Sequence, residues 1–208
     1  MNADSRTITI PDDYGSIQEA IDNASEGDTI FVKRGVYVEN PVVNKSVSLI
    51  GEDRDSTVID VTAGLKVQSN NVTIAGFTIY DGYDGISLAA NYCNISGNKI
   101  TNTTHGIVVF GYENSISGNI FESIGLSSSI QLNFANRNLI SGNYIVSCVE
   151  GIQIWQNTRN SSIPNPLHDL SDQTFLNDTD KRALITTPEK ICSQQGLLHG
   201  SFTFSFKA

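Results

Sequence analysis

The chain has 208 residues, 39% of them hydrophobic, which is sufficient for one domain with a continuous buried core. Its formal net charge of -9 and its small number of basic residues, 13, exclude the clustered positive surface that a nucleic-acid partner requires. The longest apolar runs are far shorter than the ~20 residues of a membrane-spanning helix, so no membrane span is expected.

The first predicted element is a short helix within residues 14–27. Ser16 and Glu19 have the spacing of a capping box. The apolar residues that would share one helix face are Ile17, Ala20, Ile21 and Ala24. Gly27 is predicted to end the helix, and Thr29 to Val32 to form the first strand. Such a helix can cap the open end of a β-structure, whose unpaired backbone groups would otherwise template aggregation.

The middle of the chain repeats one phrase. NISGNKI at 94–100 returns as SISGNIF at 115–121 and as LISGNYI at 139–145. The marker glycines of the repeat, which lie 21 to 25 residues apart, are Gly27, Gly51, Gly76, Gly97, Gly118 and Gly142. Short alternating segments broken by Gly and Asn indicate strands and turns, and a period in the low twenties indicates a solenoid. We therefore predict an all-β fold, a right-handed parallel β-helix of about six coils with an N-terminal capping helix.

Aligning the coils predicts which side chains stack. One inward column contains Ile95, Ile116 and Ile140, and a second, later in each coil, contains Ile86, Ile107, Ile130 and Ile152. At the turn of the repeated phrase stand Asn98, Asn119 and Asn143. Stacked asparagines can satisfy amides that a tight bend leaves unpaired, so this column predicts an asparagine ladder.

The repeat is lost after Trp155. We therefore assign residues 1–162 to the β-helix with its cap and 163–208 to a non-repeat segment, either a C-terminal cap or a tail. Within that segment, residues 187–189 have the pattern of a helix start and residues 202–206 alternate like one strand.

The pattern resembles a known group of proteins. SIQEAIDNASEGDTIFVKRGVYVEN, then VVNKSVSLIGED and the GNxI coils, resemble the start of pectin-lyase-like β-helix proteins of the NosD-like or CASH type, which are common in cell-surface proteins of methanogenic archaea. The resemblance covers roughly residues 7 to 157. It implies the fold, but it implies no single activity, because the group includes hydrolases, lyases, epimerases, binding modules and surface proteins.

One surface beside the second inward column has candidate binding residues. The alignment places Asp84, His105, Ser128 and Glu150 in one column, and Ser87, Val108, Gln131 and Gln153 in the next. A third column contains Ala89, Phe110, Asn133 and Trp155. An extended sugar chain could stack on the aromatic rings while its hydroxyls meet the polar column, so the predicted carbohydrate-binding residues are Asp84, His105, Phe110, Gln131, Gln153 and Trp155. The alternative is an ordinary solvated sheet face.

A complete catalytic set is missing from the sequence. Asp84 and Glu150 are three coils apart, roughly 14 Å, which exceeds the separation of the two carboxyl groups in glycoside hydrolases. Asp84 and His105 are one coil apart and could form an acid/base pair or a surface ion pair. The calcium-binding cluster of pectate lyases is not found near the arginines, and Thr104-His105-Gly106 and Pro166-Leu167-His168-Asp169 match the motifs of polygalacturonases and alginate epimerases only in part.

No cofactor or metal is predicted. The copper chemistry of the NosD name needs clustered soft or imidazole ligands, and this chain has three separated His, the initiator Met1 and no paired Cys. Seven Asn-x-Ser/Thr sequons make glycosylation candidates of Asn23, Asn44, Asn71, Asn94, Asn102, Asn160 and Asn177.

These observations predict a non-catalytic extracytoplasmic β-helix module, either structural or carbohydrate-binding, with a polysaccharide or surface glycan as partner. One alternative is a polysaccharide-active lyase or epimerase that uses the Asp84/His105 face. Another is a surface or filament subunit that self-associates through the C-terminal end of its β-helix. An extracellular or cell-surface location is expected, although no signal peptide is visible in this chain.

Overall fold

The computed structural model describes residues 5–125, 127–155, 158–164, 182–186, 191–192 and 197–198. These residues form a right-handed parallel β-helix with six complete coils of three strands each. One of its three sheets continues beyond the coils at both ends, which gives about seven turns. The predicted fold class is therefore confirmed.

The elements follow one another in a regular order. Before the first coil lie β1 (Thr7–Ile10) and the helix α1 (Ile17–Asn23). The first three coils contain β2 (Thr29–Val32), β3 (Gly35–Val38), β4 (Val42–Val43), β5 (Ser48–Gly51), β6 (Thr57–Asp60), β7 (Leu65–Val67), β8 (Thr73–Ala75), β9 (Thr78–Tyr80) and β10 (Asp84–Leu88). The next three contain β11 (Asn94–Ser96), β12 (Lys99–Thr101), β13 (His105–Val109), β14 (Ser115–Ser117), β15 (Ile120–Glu122), β16 (Ser128–Leu132), β17 (Leu139–Ser141), β18 (Tyr144–Val146) and β19 (Glu150–Ile154). Beyond them lie β20 (Arg159–Pro164), β21 (Arg182–Thr186), β22 (Ile191–Cys192) and β23 (Leu197–Leu198).

Each coil contributes one strand to each of three parallel sheets. The first sheet has the order β1-β2-β5-β8-β11-β14-β17-β20-β21. The second sheet runs from β3 to β18, and the third runs from β4 to β19. Because equivalent residues of successive coils pair directly, as Ile95 does with Ile74 and Ile116, each position of the repeat becomes a column parallel to the axis.

The predicted inward columns form the core. Ile95, Ile116 and Ile140 are fully buried, and Ile116 pairs with the other two. The second column, from Ile86 to Ile152, is likewise buried and in register. These residues alternate with outward polar ones, so the period-two pattern of the sequence places the apolar side chains on the axis.

Glycine has a steric role where the chain enters the third sheet. A Cβ atom added to Gly106 would lie 2.1 Å from the carbonyl oxygen of Ser129 and 2.7 Å from Cδ1 of Phe121. No side chain fits there without moving a neighbouring coil, and Gly85 is similarly crowded, since its Cβ would lie 2.7 Å from the carbonyl oxygen of Gly106, which explains the Gly of the DGI and HGI segments.

The asparagine ladder is present at the turn between the first and second sheets. Asn98, Asn119 and Asn143 are fully buried. Oδ1 of Asn119 accepts from the backbone N–H of Asn98 at 3.0 Å, and Oδ1 of Asn143 does the same for Asn119 at 3.0 Å. The side-chain amide of Asn119 donates to the carbonyl oxygen of Ile95 at 2.9 Å, so each rung joins coils on both sides. The predicted ladder is confirmed.

A second ladder, not predicted from the sequence, lies at the turn between the third and first sheets. Oδ1 of Asn114 accepts from the backbone N–H of Cys93 at 2.9 Å, and Oδ1 of Asn138 accepts from that of Asn114 at 2.8 Å. Ser161 takes the next position, where its Oγ accepts from the backbone N–H of Asn138 at 3.2 Å. Two of the three corners of the β-helix are thus held by buried polar columns.

The capping helix exists but is shorter than predicted. It ends at Asn23, not at Gly27, and the backbone N–H of Ala24 closes it by bonding to the carbonyl oxygen of Ile21. Oγ of Ser16 caps the N-terminus by accepting from the N–H of Glu19 at 3.1 Å. The carboxylate of Glu39, from the end of β3, accepts from two further N–H groups of the first turn at 2.9 Å each. Glu39 thus gives hydrogen-bond partners to two of the N–H groups at the helix N-terminus that have no partner within the helix.

Beyond the coils, β20 pairs with β17 and β21 pairs with β20 in the first sheet. The predicted boundary at residue 162 falls inside β20, and the division into 1–162 and 163–208 stays a prediction. The helix start at 187–189 and the strand at 202–206 lie outside the described residues.

Candidate functional site

The outer face of the third sheet carries the predicted binding residues in the predicted columns. Asp84 pairs with His105, and Ser128 pairs with Glu150. In the neighbouring column Val108 pairs with Gln131, which pairs with Gln153. The register inferred by aligning the repeats is therefore the register of the sheet, although a binding role for these residues stays a prediction.

Asp84 and His105 are in direct contact. Nδ1 of His105 lies 3.0 Å from Oδ1 of Asp84, and each side chain exposes less than a fifth of its surface, 17% and 19% respectively. The contact is an ion pair when the imidazole is protonated. The ring of Tyr83 stands edge-on to the imidazole with centroids 5.0 Å apart. Two titratable groups and one aromatic ring thus meet where the chain enters the third sheet.

Burial changes the acidity of this pair. Desolvation raises the pKa of the Asp84 carboxyl above its ordinary value, and the attraction of His105 opposes that rise without cancelling it. A carboxyl group whose charged form is disfavoured gives up its proton less readily than an exposed aspartate does.

Two hydroxyl groups close to this corner have no hydrogen-bond partner among the described residues. They are Oγ1 of Thr103 and Oγ of Ser128, and both are buried. Ser128 follows His105 in the column of the sheet, and Thr103 precedes His105 by two residues. Unpaired hydroxyls add polar character to this end of the third sheet.

The aromatic column lies at the opposite edge of the third sheet. Phe110 and Trp155 each follow the last residue of a strand, and their backbone N–H groups donate to Leu88 and Leu132 at 2.9 and 2.8 Å. Their side chains are about half exposed, 49% and 48%. Two coils separate them, which is roughly 10 Å along the axis. Asn133 stands between them and accepts from Nε2 of Gln131 at 3.5 Å.

Three features of this surface were missed by the sequence alignment. Lys66 pairs with Ser87 and extends the polar column of Gln131 and Gln153 toward the N-terminal coils. The contact of Tyr83 with His105 was also missed, because Tyr83 lies in a turn outside the aligned strands. To predict this contact, the turns, which vary in length between coils, would have had to be aligned as well.

The third missed feature is an aromatic cluster at the corner between the third and first sheets. Tyr92 and Tyr112 stand edge to face with centroids 5.6 Å apart, and the guanidinium of Arg137 lies 5.5 Å from the Tyr112 centroid. Nε of Arg137 also donates to Glu113 at 2.6 Å. The rings and the ion pair belong to successive coils, so their contacts join these coils on the outer surface of the corner.

The sequon asparagines are all at the surface in the described part of the chain. The exposed ones are Asn23, Asn44, Asn71, Asn94, Asn102 and Asn160. Asn177 lies outside the described residues.

Metal ligands do not cluster in the part of the chain that the structure describes. No three His, Cys, Asp or Glu residues within it could hold one ion. His105 has only Asp84 beside it, Cys93 is buried, and Cys148 lies in a different turn. These residues do not fit a copper ion, which needs several soft or imidazole ligands together. In the described residues, no helix has the length and apolar character needed to cross a membrane.

The fold and its repeated surface define a right-handed parallel β-helix protein. A family model described as periplasmic copper-binding protein (NosD) matches residues 21–185, and the chain belongs to this family. It is 36% identical over 118 residues to a cell surface glycoprotein of Methanothermus fervidus, a match that covers 53% of this chain and 19% of that protein. The chain therefore corresponds to about a fifth of that relative's length.

Solved structures with the same fold include enzymes that act on polysaccharides. Pectin methylesterase PemA from Erwinia chrysanthemi has a TM-score of 0.53 at 12% identity, over 95% of this chain and 91% of that one. The PL6 family alginate lyase AlyGC also has a TM-score of 0.53, at 15% identity, over 78% of this chain and 31% of that one. At such low identity the likeness concerns the fold alone.

Proposed function

We propose that this chain is an extracytoplasmic β-helix module that binds an extended carbohydrate chain along the outer face of the third sheet. The observation that carries the proposal is the half-exposed pair of Phe110 and Trp155 in one column, beside the polar column that contains Gln131 and Gln153. The periplasmic description of the family and the cell surface glycoprotein among its relatives support a location outside the cytoplasm.

The geometry suits a polymer better than a small molecule. Equivalent positions recur at every coil, ~4.8 Å apart, so a ligand lying parallel to the axis can meet the rings of Phe110 and Trp155, two coils apart, and the adjacent amides of Gln131 and Gln153. Aromatic faces can stack on the apolar faces of sugar rings, and the glutamine amides can both donate to and accept from hydroxyl groups. A flat, repetitive face of this kind supplies contacts over several sugar units instead of one enclosed pocket.

The charges of this face favour a neutral glycan. Asp84 and Glu150 contribute carboxylates, while Lys66 is the only lysine or arginine in the third-sheet strands from β4 to β19. A polyuronate would be repelled by the two acids and by the formal net charge of -9. We therefore expect neutral oligosaccharides to bind more tightly than galacturonate oligosaccharides of equal length.

Replacing Trp155 by Ala should weaken this binding at least about tenfold, because truncating a well-packed aromatic anchor typically costs 1.4 kcal/mol or more. Calorimetric titration of the whole chain with cello-, manno- and galacturono-oligosaccharides measures the effect. The matched control is Tyr144→Ala, which removes an aromatic ring of similar exposure, 40%, from the second sheet. Equal losses in the two variants, or no binding of any oligosaccharide by the unaltered chain, would contradict the proposal.

A polysaccharide-active enzyme is the second candidate, and the contact between Asp84 and His105 is the observation that favours it. The raised pKa of Asp84 and the adjacent imidazole supply a proton acceptor and a proton donor within 3.0 Å of each other. A lyase would remove the proton on C5 of a uronate and expel the substituent on C4, which leaves an unsaturated sugar.

This second candidate is tested by the absorbance of unsaturated products from alginate and pectate. Steady turnover that His105→Ala abolishes, and that Gln153→Ala leaves within a factor of about three, would establish the enzyme and overturn a purely binding role. Without turnover on either polymer, the binding role is the one that remains. Self-association through the C-terminal end of the β-helix stays a prediction, since most of that end lies outside the described residues.

A further inference from the structure

Two groups stand out among the asparagines of the described residues, besides the partly buried Asn91, Asn133 and Asn136. One is buried, with its side-chain amides bonded to carbonyl oxygens of a neighbouring coil, and consists of Asn98, Asn114, Asn119, Asn138 and Asn143. None of these is followed two residues later by Ser or Thr, because that position belongs to an inward apolar column. The other population is exposed and includes every sequon asparagine that the structure describes. No asparagine therefore belongs both to a ladder and to a sequon among the described residues.

The sequons are also unevenly distributed around the axis. Asn71 and Asn160 share a left-handed backbone conformation, with φ of 57° and 54°; Asn71 lies at the corner between the third and first sheets, and Asn160 near the start of β20. Asn94 begins β11 at the same corner, and Asn44 lies in the connection from β4 to β5. Asn23, at the end of α1, adjoins this corner through Lys45. Asn102 alone among the described sequons lies at the corner between the second and third sheets.

Three of these side chains are available for chemistry at the amide nitrogen. Asn44, Asn71 and Asn94 are exposed and make no side-chain hydrogen bond to any described residue. By contrast, the amide of Asn23 donates to the carbonyl oxygen of Glu19 at 2.8 Å, and that of Asn102 lies 3.4 Å from Oδ1 of Asp81. Free, solvent-facing amides on a fixed turn are what a transferase must reach on a folded surface.

We propose that Asn44, Asn71 and Asn94 are acceptors of N-linked glycans and form a glycosylated ridge along this corner. Nδ2 of the asparagine attacks the anomeric carbon of a glycan carried on a polyprenyl phosphate or pyrophosphate. The C–N bond forms as the bond from that carbon to the phosphate oxygen breaks, and the lipid phosphate leaves with the bonding electrons. The proton of the amide passes to a base of the transferase, and no redox partner is required.

The ridge can hold neighbouring glycans because its acceptors are staggered. Asn94 is in register with Thr73 instead of Asn71, so the two acceptors are offset by one coil and by two residues along the strand. This offset separates their Cα atoms by about 8 Å. The ridge lies at the end of the third-sheet strands where Phe110 and Trp155 stand, and Asp84 and His105 lie at the start of those strands.

The test is peptide mass spectrometry of the whole chain secreted by a yeast host. Enzymatic release of N-glycans in ¹⁸O-water leaves a mass tag on each occupied asparagine. We expect tags on the peptides that contain Asn44, Asn71 and Asn94, and none on the buried ladder asparagines. Thr73→Ala should remove the tag on Asn71, whereas Thr73→Ser, which preserves the sequon at the same half-buried position, should keep it.

Either of two results would overturn the proposal. The first is the absence of all three tags in chain secreted by cells that glycosylate a co-expressed reference protein. The second is a tag on Asn71 that persists in Thr73→Ala. A further measurement addresses access directly: the purified folded chain, incubated with an oligosaccharyltransferase and a lipid-linked glycan, should acquire the same tags. Tagging of the denatured chain alone would show that the folded ridge is not reachable.

Discussion

Replacing Ile107 by Asp should abolish the cooperative unfolding transition of the central coils. Ile107 is fully buried and stacks between Ile86 and Ile130. Loss of its packing alone costs about 2–5 kcal/mol, and the new carboxyl group must stay protonated or be hydrated at further cost. Since domains have only about 5–15 kcal/mol of stability, we expect a large loss. Urea denaturation followed by circular dichroism measures it.

The control for this prediction uses the same strands and the same new side chain. Ser87→Asp alters a residue in register with Val108, one position along from the inward column and on the outer face. Its free energy of unfolding should change by less than about 0.5 kcal/mol, as surface substitutions usually do. If both variants lost similar stability, or if Ile107→Asp unfolded at the same urea concentration as the unaltered chain, the stacked core would not be the main source of stability.

The second large effect is expected at the asparagine ladder. In Asn119→Leu, the backbone N–H of Asn98 and the carbonyl oxygen of Ile95 lose their side-chain partners while they remain buried. Oδ1 of Asn143 also loses the donor that lies 3.0 Å from it. Each of the two buried groups left without a partner costs about 1–3 kcal/mol, so we expect a loss of roughly 2–6 kcal/mol in the free energy of unfolding.

The matched control is Asn44→Leu, since Asn44 is exposed and makes no side-chain hydrogen bond within the described residues. Its stability should change little. Amide hydrogen exchange gives a residue-level check, because Asn119→Leu should speed exchange at the turns of the coils on both sides. Exchange that accelerates only in the altered turn would mean that the rungs act independently.

Much of this architecture could be predicted because the repeat itself reports which residues share a position. Ile95, Ile116 and Ile140 stand at equal offsets from a glycine, and their burial follows from one alignment. The second ladder was not predicted, although Asn114 and Asn138 also recur. Both stand four residues before a marker glycine, but the two preceding coils have Val72 and Cys93 at that offset, so only two asparagines marked the column.

The ends and the site were less predictable for a different physical reason. Helix α1 is capped by Glu39, more than twenty residues away, and a local capping pattern does not contain that contact. That Asp84 and His105 are neighbours followed from the register. The raised pKa of Asp84, however, depends on how much of its carboxyl group is buried. A pattern of residue types does not predict the burial of a side chain that points partly outward.

The direct pairing of equivalent residues also bears on how such a chain can change length. Asn94 pairs with Ser115, so duplicating or deleting the twenty-one residues from 94 to 114 rejoins the backbone at geometrically equal points. Each such event lengthens or shortens the column by one strand spacing, ~4.8 Å, and gives every remaining rung a neighbour of the same shape. The β-helix can therefore be lengthened or shortened by whole coils while the packing of its core stays the same.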